Sequence, residues 1–341
     1  EWENKLIDFY ENNKDSILPK SRYNAVLSFI KGGLKDLSIS RTTFKWGIKV
    51  PEEDNHVMYV WIDALCNYIT ALNYPDTNND SFNKFWPGVH IIGKDILRFH
   101  AVYWPAFLMA ADLEPPKKIF AHGWWMFDDT KMSKSLGNVV KPLDLADKFG
   151  ADALRYYLMR DMVLGMDASF SYENFINRYN SDLANDFGNL VNRITMLIKK
   201  YFDNVVPDPG DFDEDDLQII SRSKSLPFEV LNLINELKIH DAIEKSMAHV
   251  RSINKYLEVK SPWKRIKDPD GLPDVRTTMF VSANALFVSA QLLEPIMPNR
   301  IRDVNEIFSK VQTQFSDITF GQIEAGDTIE DSKVLFPRID K

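Results

Sequence analysis

The sequence predicts an α/β unit built on a mostly parallel sheet, followed by an all-α helical bundle. Up to about residue 150 short apolar strands alternate with helical stretches, and beyond it apolar residues recur at three- and four-residue spacing almost to the end. Glycines at two predicted strand ends, Gly93 and Gly123, point to a ligand at the carboxyl edge of the sheet, where the backbone must come close to what it binds.

Residues 2–13 are charged and helix-compatible, and Pro19 and Ser21 then mark a break. A second amphipathic stretch, 22–30, stops at Gly32-Gly33. Residues 37–40 and 47–50 alternate as strands do. Residues 56–61 read as a further strand ending at Trp61, and Asp63 can open a helix to residue 72. Residues 75–80 are a loop. Residues 89–93 form a short apolar strand feeding a helix over 95–111 that Pro105 breaks, and 118–127 is another strand. Helices over 152–162, 172–202, 215–237, 241–259 and 277–293 make a bundle the economical architecture, and the acidic run 211–216 is expected to be a solvated loop and helix start.

A chain of 341 residues suggests two domains, and its 45% hydrophobic and 26% charged residues are those of a soluble globular protein. No apolar run approaches the roughly 18 to 20 residues that span a bilayer, and Glu1-Trp2-Glu3-Asn4 does not resemble a signal peptide, so a cytoplasmic protein without a membrane partner is expected. The single Cys66 gives neither a disulfide framework nor a cysteine cluster for zinc. A net charge of −8 argues against indiscriminate coating of nucleic acid, yet leaves room for local basic patches, with Lys199-Lys200 and residues 260–267 as candidates.

The most informative stretch is Lys131-Met132-Ser133-Lys134-Ser135, followed by Leu136-Gly137-Asn138. Two lysines separated by small residues, on a segment ending in glycine, can bring two ammonium groups and several hydroxyl and backbone donors to a polyphosphate. Taken blind, such a short match reads first as an ordinary basic surface turn, because short motif matches are cheap. Its context is not blind: Val60-Trp61-Ile62-Asp63-Ala64-Leu65, the run 93–100, Phe120-Ala121-His122-Gly123-Trp124-Trp125, this loop, Ser261-Pro262-Trp263 and the closing Leu335-Phe336-Pro337-Arg338-Ile339 follow in order. In these segments the chain resembles the methionyl-tRNA synthetases, members of the class I aminoacyl-tRNA synthetases, over essentially its whole length.

That resemblance implies a Rossmann-like nucleotide-binding half-domain over 1–150, a connecting stem-contact segment over 151–175 and a helical anticodon-binding domain over 176–341. It implies a methionine pocket of Trp61, Ala64, Leu65, Tyr68, Ile96, His100 and Trp104, with Leu65 where some members carry proline. Of these, Ile96, His100 and Trp104 would share one helix face by their spacing, and aromatic and apolar walls suit a polarizable thioether. For ATP, taken with Mg2+ as substrate, the resemblance implies Gly93, Asp95, His122, Gly123, Trp124, Met132, Ser133 and Lys134. Lys134 and Lys131 would stabilise phosphoryl charge in the transition state, with Arg41 beside the reacting centre. Asn189, Arg193 and Trp263 would read the anticodon of tRNA(Met) by hydrogen bonding and stacking.

One departure is large: the family's His-Ile-Gly-His-type motif and the inserted module that often binds zinc are absent, since the histidines are His56, His90, His100, His122, His240 and His249. The expectation is a C-terminal two-thirds of an enzyme, monomeric, without a zinc site in this part, and inactive until the missing half is supplied. Leucyl-, isoleucyl- or valyl-tRNA synthetases share the signature loop, and a non-catalytic tRNA-binding module is a reading of a different class.

Overall fold

The computed structural model describes residues 1–127, 130–131 and 140–340, the side chains of 130–131 excepted. These residues fall into two compact units, 1–124 with 165–167, and 125–164 with 168–340.

In the first unit, Leu6 and Tyr10 of α1 (Glu3–Asn12) and Tyr23, Val26 and Ile30 of α2 (Lys20–Lys31) recur at helical spacing and are buried. They pack with Ile92, Ile119 and Ala121 of a three-stranded parallel sheet, in which β6 (Lys118–His122) lies between β1 (Ile17–Leu18) and β5 (Val89–Gly93). Along β5, His90 and Ile92 face the covered side, whereas Val89 and Ile91 stand exposed. A separate antiparallel sheet places β4 (Glu53–Met58) between β2 (Ser40–Arg41) and β3 (Lys49–Val50). Helices α3 (Val60–Thr70), α4 (Asp80–Phe85) and α5 (Trp104–Ala110) enclose a second cluster around Leu65, Phe82, Trp86, Trp104 and Leu108.

Several boundaries differ from the sequence reading. The strand expected to reach Trp61 ends at Met58, Tyr59 stays extended, and α3 starts at Val60, so Trp61 lies in a first helical turn rather than at a strand end. Residues 37–39 stay outside the ladder, which begins at Ser40 opposite Met58. The single strand expected over 118–127 is two, separated by Gly123-Trp124 and belonging to different sheets. Between β5 and α5 the chain forms a 3-10 turn at Lys94–Ile96 and a π-helical turn at Phe99–Tyr103. Pro105 sits in the first turn of α5, where its missing N–H costs least.

In the second unit a small sheet sets β7 (Trp125–Phe127) between β8 (Thr130–Lys131) and β9 (Ala168–Phe170). Helices α6 (Pro142–Phe149) and α7 (Ala151–Asp161) follow β8. After β9, α8 (Tyr172–Arg178) is capped by Ser171, and a π-helical stretch, Tyr179–Gly188, joins it to α9 (Asn189–Phe202). Then come α10 (Glu214–Asn235), α11 (Ile239–Lys260), the short α12 (Pro262–Arg265), α13 (Leu272–Leu293) and α14 (Pro298–Ile307). Helix α13 is apolar on nearly all sides because α9, α10, α11 and α14 surround it. The acidic run is a helix start, with Asp213 and Asp216 forming a capping box, but Asp216 is not solvated. It is 2% exposed, accepts from the Tyr256 hydroxyl at 2.6 Å and pairs with Lys260 at 2.7 Å.

Candidate functional site

At the carboxyl ends of the parallel strands, the register sets Gly93 beside His122 and so brings residues 93–95 next to 122–124. Gly123 is required by close approach: a Cβ there would lie 2.1 Å from the Met166 carbonyl oxygen. Asp167 holds this corner. Its carboxylate accepts from the Trp124 backbone N–H at 2.8 Å and from Lys94 Nζ at 2.6 and 2.7 Å, and these donors keep it below the usual carboxylate range. Lys94 also stands 4.1 Å over the Trp124 ring, whose Nε1 donates a long bond of 3.4 Å to Asp95.

Beside this edge lies an aromatic cage. Trp61 stacks on Phe99 with centroids 3.9 Å apart and meets His100 edge-on at 6.0 Å. The Ile96 carbonyl can only accept, so His100 Nδ1, 3.0 Å away, carries the ring proton; Nε2 then accepts from the Tyr68 hydroxyl at 3.0 Å. Burial keeps His100 below the ordinary imidazole range, so the pair is neutral. Behind it, Tyr68 stacks on His90 at 4.1 Å, and His90 Nε2 accepts from the Trp104 indole N–H.

Among the residues expected here, Trp61, Leu65 and Tyr68 lie four and three apart on α3, and with His100 and Trp104 they come together. Leu65 is fully buried and Trp104 1% exposed, so both stand behind the cage surface, whereas Ala64 is exposed. Ile96 departs from the one-face expectation: the 3-10 and π turns alter the rotation, and its side chain packs with the Leu6 cluster while its carbonyl serves His100. Arg41, opposite Val57 in the ladder, lies 3.8 Å over the Tyr59 ring and donates from Nη1 to the Ser38 and Ser40 carbonyls. Met132, Ser133 and Lys134 lie outside the described residues, and of Lys131 only the backbone, opposite Met126, is described.

In the second unit, the Arg193 guanidinium lies 5.2 Å over the Trp263 ring and donates to Asn254 and, at 2.6 Å, to Glu258. Asn189 is exposed one turn earlier on α9. In the two basic patches expected from the sequence, three cations are held by carboxylates: Lys199 pairs with Asp331, Lys260 with Asp213 and Asp216, and Arg265 with Asp268 and Asp274.

A family model described as tRNA synthetases class I (M) matches residues 1–195. The chain belongs to the class I tRNA synthetases of this (M) family. It is 44% identical over 339 residues to a methionine–tRNA ligase of Caldanaerobacter subterraneus subsp. tengcongensis, covering 98% of this chain and 53% of that protein. It is 44% identical over 341 residues to one from Brucella melitensis biotype 1, covering 99% and 65%. A Mycobacterium tuberculosis methionyl-tRNA synthetase structure bound by methionyl-adenylate superposes with a TM-score of 0.94 at 41% identity, covering 98% of this chain and 67% of that one. The chain thus spans about half to two thirds of the length of the proteins it matches.

Within this class I synthetase chain, sequence reasoning did not single out His90, Lys94 or Asp167 as site residues. His90 is signalled only by its place in a strand beside the cage, and Lys94 lies inside a quoted motif. Asp167 is separated from Trp124 by 43 positions, and only the fold joins them. Among the described residues no three His, Cys, Asp or Glu side chains gather as a metal would require.

Of the three buried histidines, His90 in the first unit and His249 in the second make stability depend most strongly on pH. Burial, then the neighbouring His100, pushes His90 down to about 4 from 6.5; burial does the same to His249, also to about 4, where Nε2 meets the Ser223 hydroxyl at 2.9 Å. In the unfolded chain each titrates near its ordinary value, so the unfolded state takes protons first as pH falls. Stability is therefore full above about pH 7 and declines between about 6.5 and 4, by on the order of 3 kcal/mol per histidine at the acid limit. Denaturant unfolding from pH 8 to 4 checks this, and His249→Gln should flatten the profile of the helical unit alone.

Proposed function

We propose that this chain carries the methionine pocket, part of the ATP site and the anticodon-reading surface of a methionine–tRNA ligase. In that reaction methionine and MgATP condense to methionyl-adenylate with release of pyrophosphate, and the methionyl group then passes to a ribose hydroxyl at the 3′ end of tRNA(Met) with release of AMP. The observation that carries this reading is the neutral aromatic cage of Trp61, Phe99, Tyr68 and His100 beside the Gly93–Gly123 edge. A thioether gains contact with polarizable ring faces there, whereas a charged side chain would lose its hydration to groups that offer no counter-ion. Shape and sulfur contacts against leucine or isoleucine are worth about 1–3 kcal/mol.

Attack of the methionine carboxylate on the α-phosphate builds negative charge on the phosphoryl oxygens. Lys134 and Lys131 stabilise that charge as positioned cations, with Arg41 beside the reacting centre, and no proton transfer is needed. Asp95 takes the ribose hydroxyls, and His122, Gly123 and Trp124 line the adenine with backbone close to the base. Arg193 and Trp263, already in contact, offer a guanidinium edge and a ring face to unstacked anticodon bases, with Asn189 one turn away.

Methionine-dependent ATP–pyrophosphate exchange tests this. The chain alone is expected to be inactive, and the protein completed with the part its relatives possess to exchange with methionine but not leucine, isoleucine or valine; exchange with one of these instead would overturn the assignment. In the completed protein Lys134→Ala should slow exchange by about 10²–10³-fold with little change in methionine KM. An unaltered rate would remove the loop from the mechanism.

A further inference from the structure

Residues 260–267 put four cations, Lys260, Lys264, Arg265 and Lys267, around Trp263, the composition of a phosphate-binding patch. The structure divides them. Lys260, the last residue of α11, has a side chain only 13% exposed, and its Nζ lies 2.7 Å from the buried Asp216 carboxylate and also meets Asp213, both at the start of α10. Arg265, the last residue of α12, engages three nitrogens: Nε and Nη2 meet Asp274 of α13 at 2.8 and 2.7 Å, and Nη1 meets Asp268 at 2.8 Å. Lys264 and Lys267 stand exposed. Between the two held cations the backbone has little freedom. Ser261 is left-handed, φ 44°; its N–H donates to the Leu257 carbonyl at 2.9 Å and its hydroxyl to the Glu258 carbonyl at 2.6 Å, and Pro262 then fixes the first position of α12. The Arg265 carbonyl oxygen sits so near Gly271 that a Cβ there would lie 2.0 Å away, which seats the turn against the start of α13. Trp263 is carried between these fastenings, partly buried against the bundle core, with the Arg193 guanidinium 5.2 Å over its ring.

We propose that the Lys260–Asp216 and Arg265–Asp274 pairs are positioning devices: they hold α12 at both ends so that Trp263 presents a fixed ring face to an anticodon base, and neither cation is a phosphate contact. The proposal rests on the anticodon-reading assignment above. A ring already held in its bound orientation loses less freedom when a base stacks on it, which strengthens binding without any new contact. A phosphate contact needs a cation that can leave its partner and reach the RNA. Lys260 is anchored to two carboxylates, and withdrawing its charge would strand the buried Asp216 inside the bundle. Arg265 has its guanidinium turned to Asp268 and Asp274, away from the role that the basic composition suggests.

The test removes carboxylates rather than cations, because the two roles then predict opposite signs. In the completed enzyme, Asp216→Asn and Asp274→Asn, singly and together, loosen Lys260 and Arg265 and take negative charge away from the RNA-facing surface. If the cations met phosphates, the KM for tRNA(Met) in aminoacylation would fall, and the slope of log KM against log salt would steepen by about 0.7 to 0.9 for each cation freed. Positioning predicts the reverse: KM rises about fivefold or more in the double variant with an unchanged salt slope, while methionine-dependent exchange stays within about twofold of the parent. In a Trp263→Ala background the same substitutions should add less than about twofold, since a ring that is absent cannot be misplaced. Asp274 is exposed, so Asp274→Asn leaves the bundle folded and reads the effect even where Asp216→Asn weakens the fold. A lower or unchanged KM, a steeper slope, equal loss of exchange and aminoacylation, or full additivity with Trp263→Ala would each overturn the proposal. An unaltered tRNA KM in Trp263→Ala alone would instead overturn the anticodon reading beneath it.

Discussion

Trp104→Ala is expected to destabilise the first unit by about 3–5 kcal/mol, the range for removing a large buried aromatic side chain. Trp104 is 1% exposed and packs against Trp86 and Tyr68 with ring centroids 6.2 and 6.3 Å apart. Its indole also supplies the donor, at a long 3.3 Å, that His90 Nε2 accepts. The alanine variant leaves both a void behind the cage and an unsatisfied imidazole nitrogen. Against a typical total of about 5–15 kcal/mol, that is a large share. Trp104→Phe retains most of the packing and loses the hydrogen bond, so it should cost about 1–2 kcal/mol. Denaturant titration followed by intrinsic fluorescence and circular dichroism distinguishes the two. Equal losses for Ala and Phe would mean that the hydrogen bond, not the ring volume, supports the cage from behind.

Gly123→Ala is the second substitution with a large effect, for a different reason. The added methyl would lie 2.1 and 2.3 Å from the Met166 carbonyl oxygen and carbon and 2.5 Å from the Asp167 nitrogen, all backbone atoms that no rotamer change can move. The segment 165–167 must therefore shift, and the Asp167 bonds to the Trp124 N–H and to Lys94 go with it. A cost of about 1–3 kcal/mol in stability is expected. In the completed enzyme a rise in the ATP KM of about tenfold or more should accompany it, with methionine KM little changed. Gly93→Ala is the control: there the added methyl meets the Asp95 carboxylate oxygen at 2.7 Å, the end of a side chain that can rotate away, so stability should change less. Equal destabilisation by the two would show that the Met166 contact is not what fixes the corner.

Much of this was legible in the chain. The helices α9, α10, α11 and α13 follow from apolar spacing, because a buried stripe on a helix must recur at 3.6 residues whatever it packs against. The strands β5 and β6 follow from short apolar runs ending in glycine. The short elements β1, β9 and α4 carried too few residues to establish a period, and each exists because a partner pairs with or covers it.

For the candidate site the division is similar. The sequence by itself determined which residue types are present and that Leu65 and Tyr68, three apart on the helix expected after Trp61, share a face, since local geometry fixes that much. Only the tertiary structure decided that Trp104 stands behind the cage rather than in its wall, that the Ile96 carbonyl and not its side chain serves His100, and that Asp167 clamps Trp124 from 43 positions away. The physical reason is that burial, tautomer and ion pairing depend on what surrounds a group in space, and spacing along the chain carries that information only within a helical turn or a strand pair.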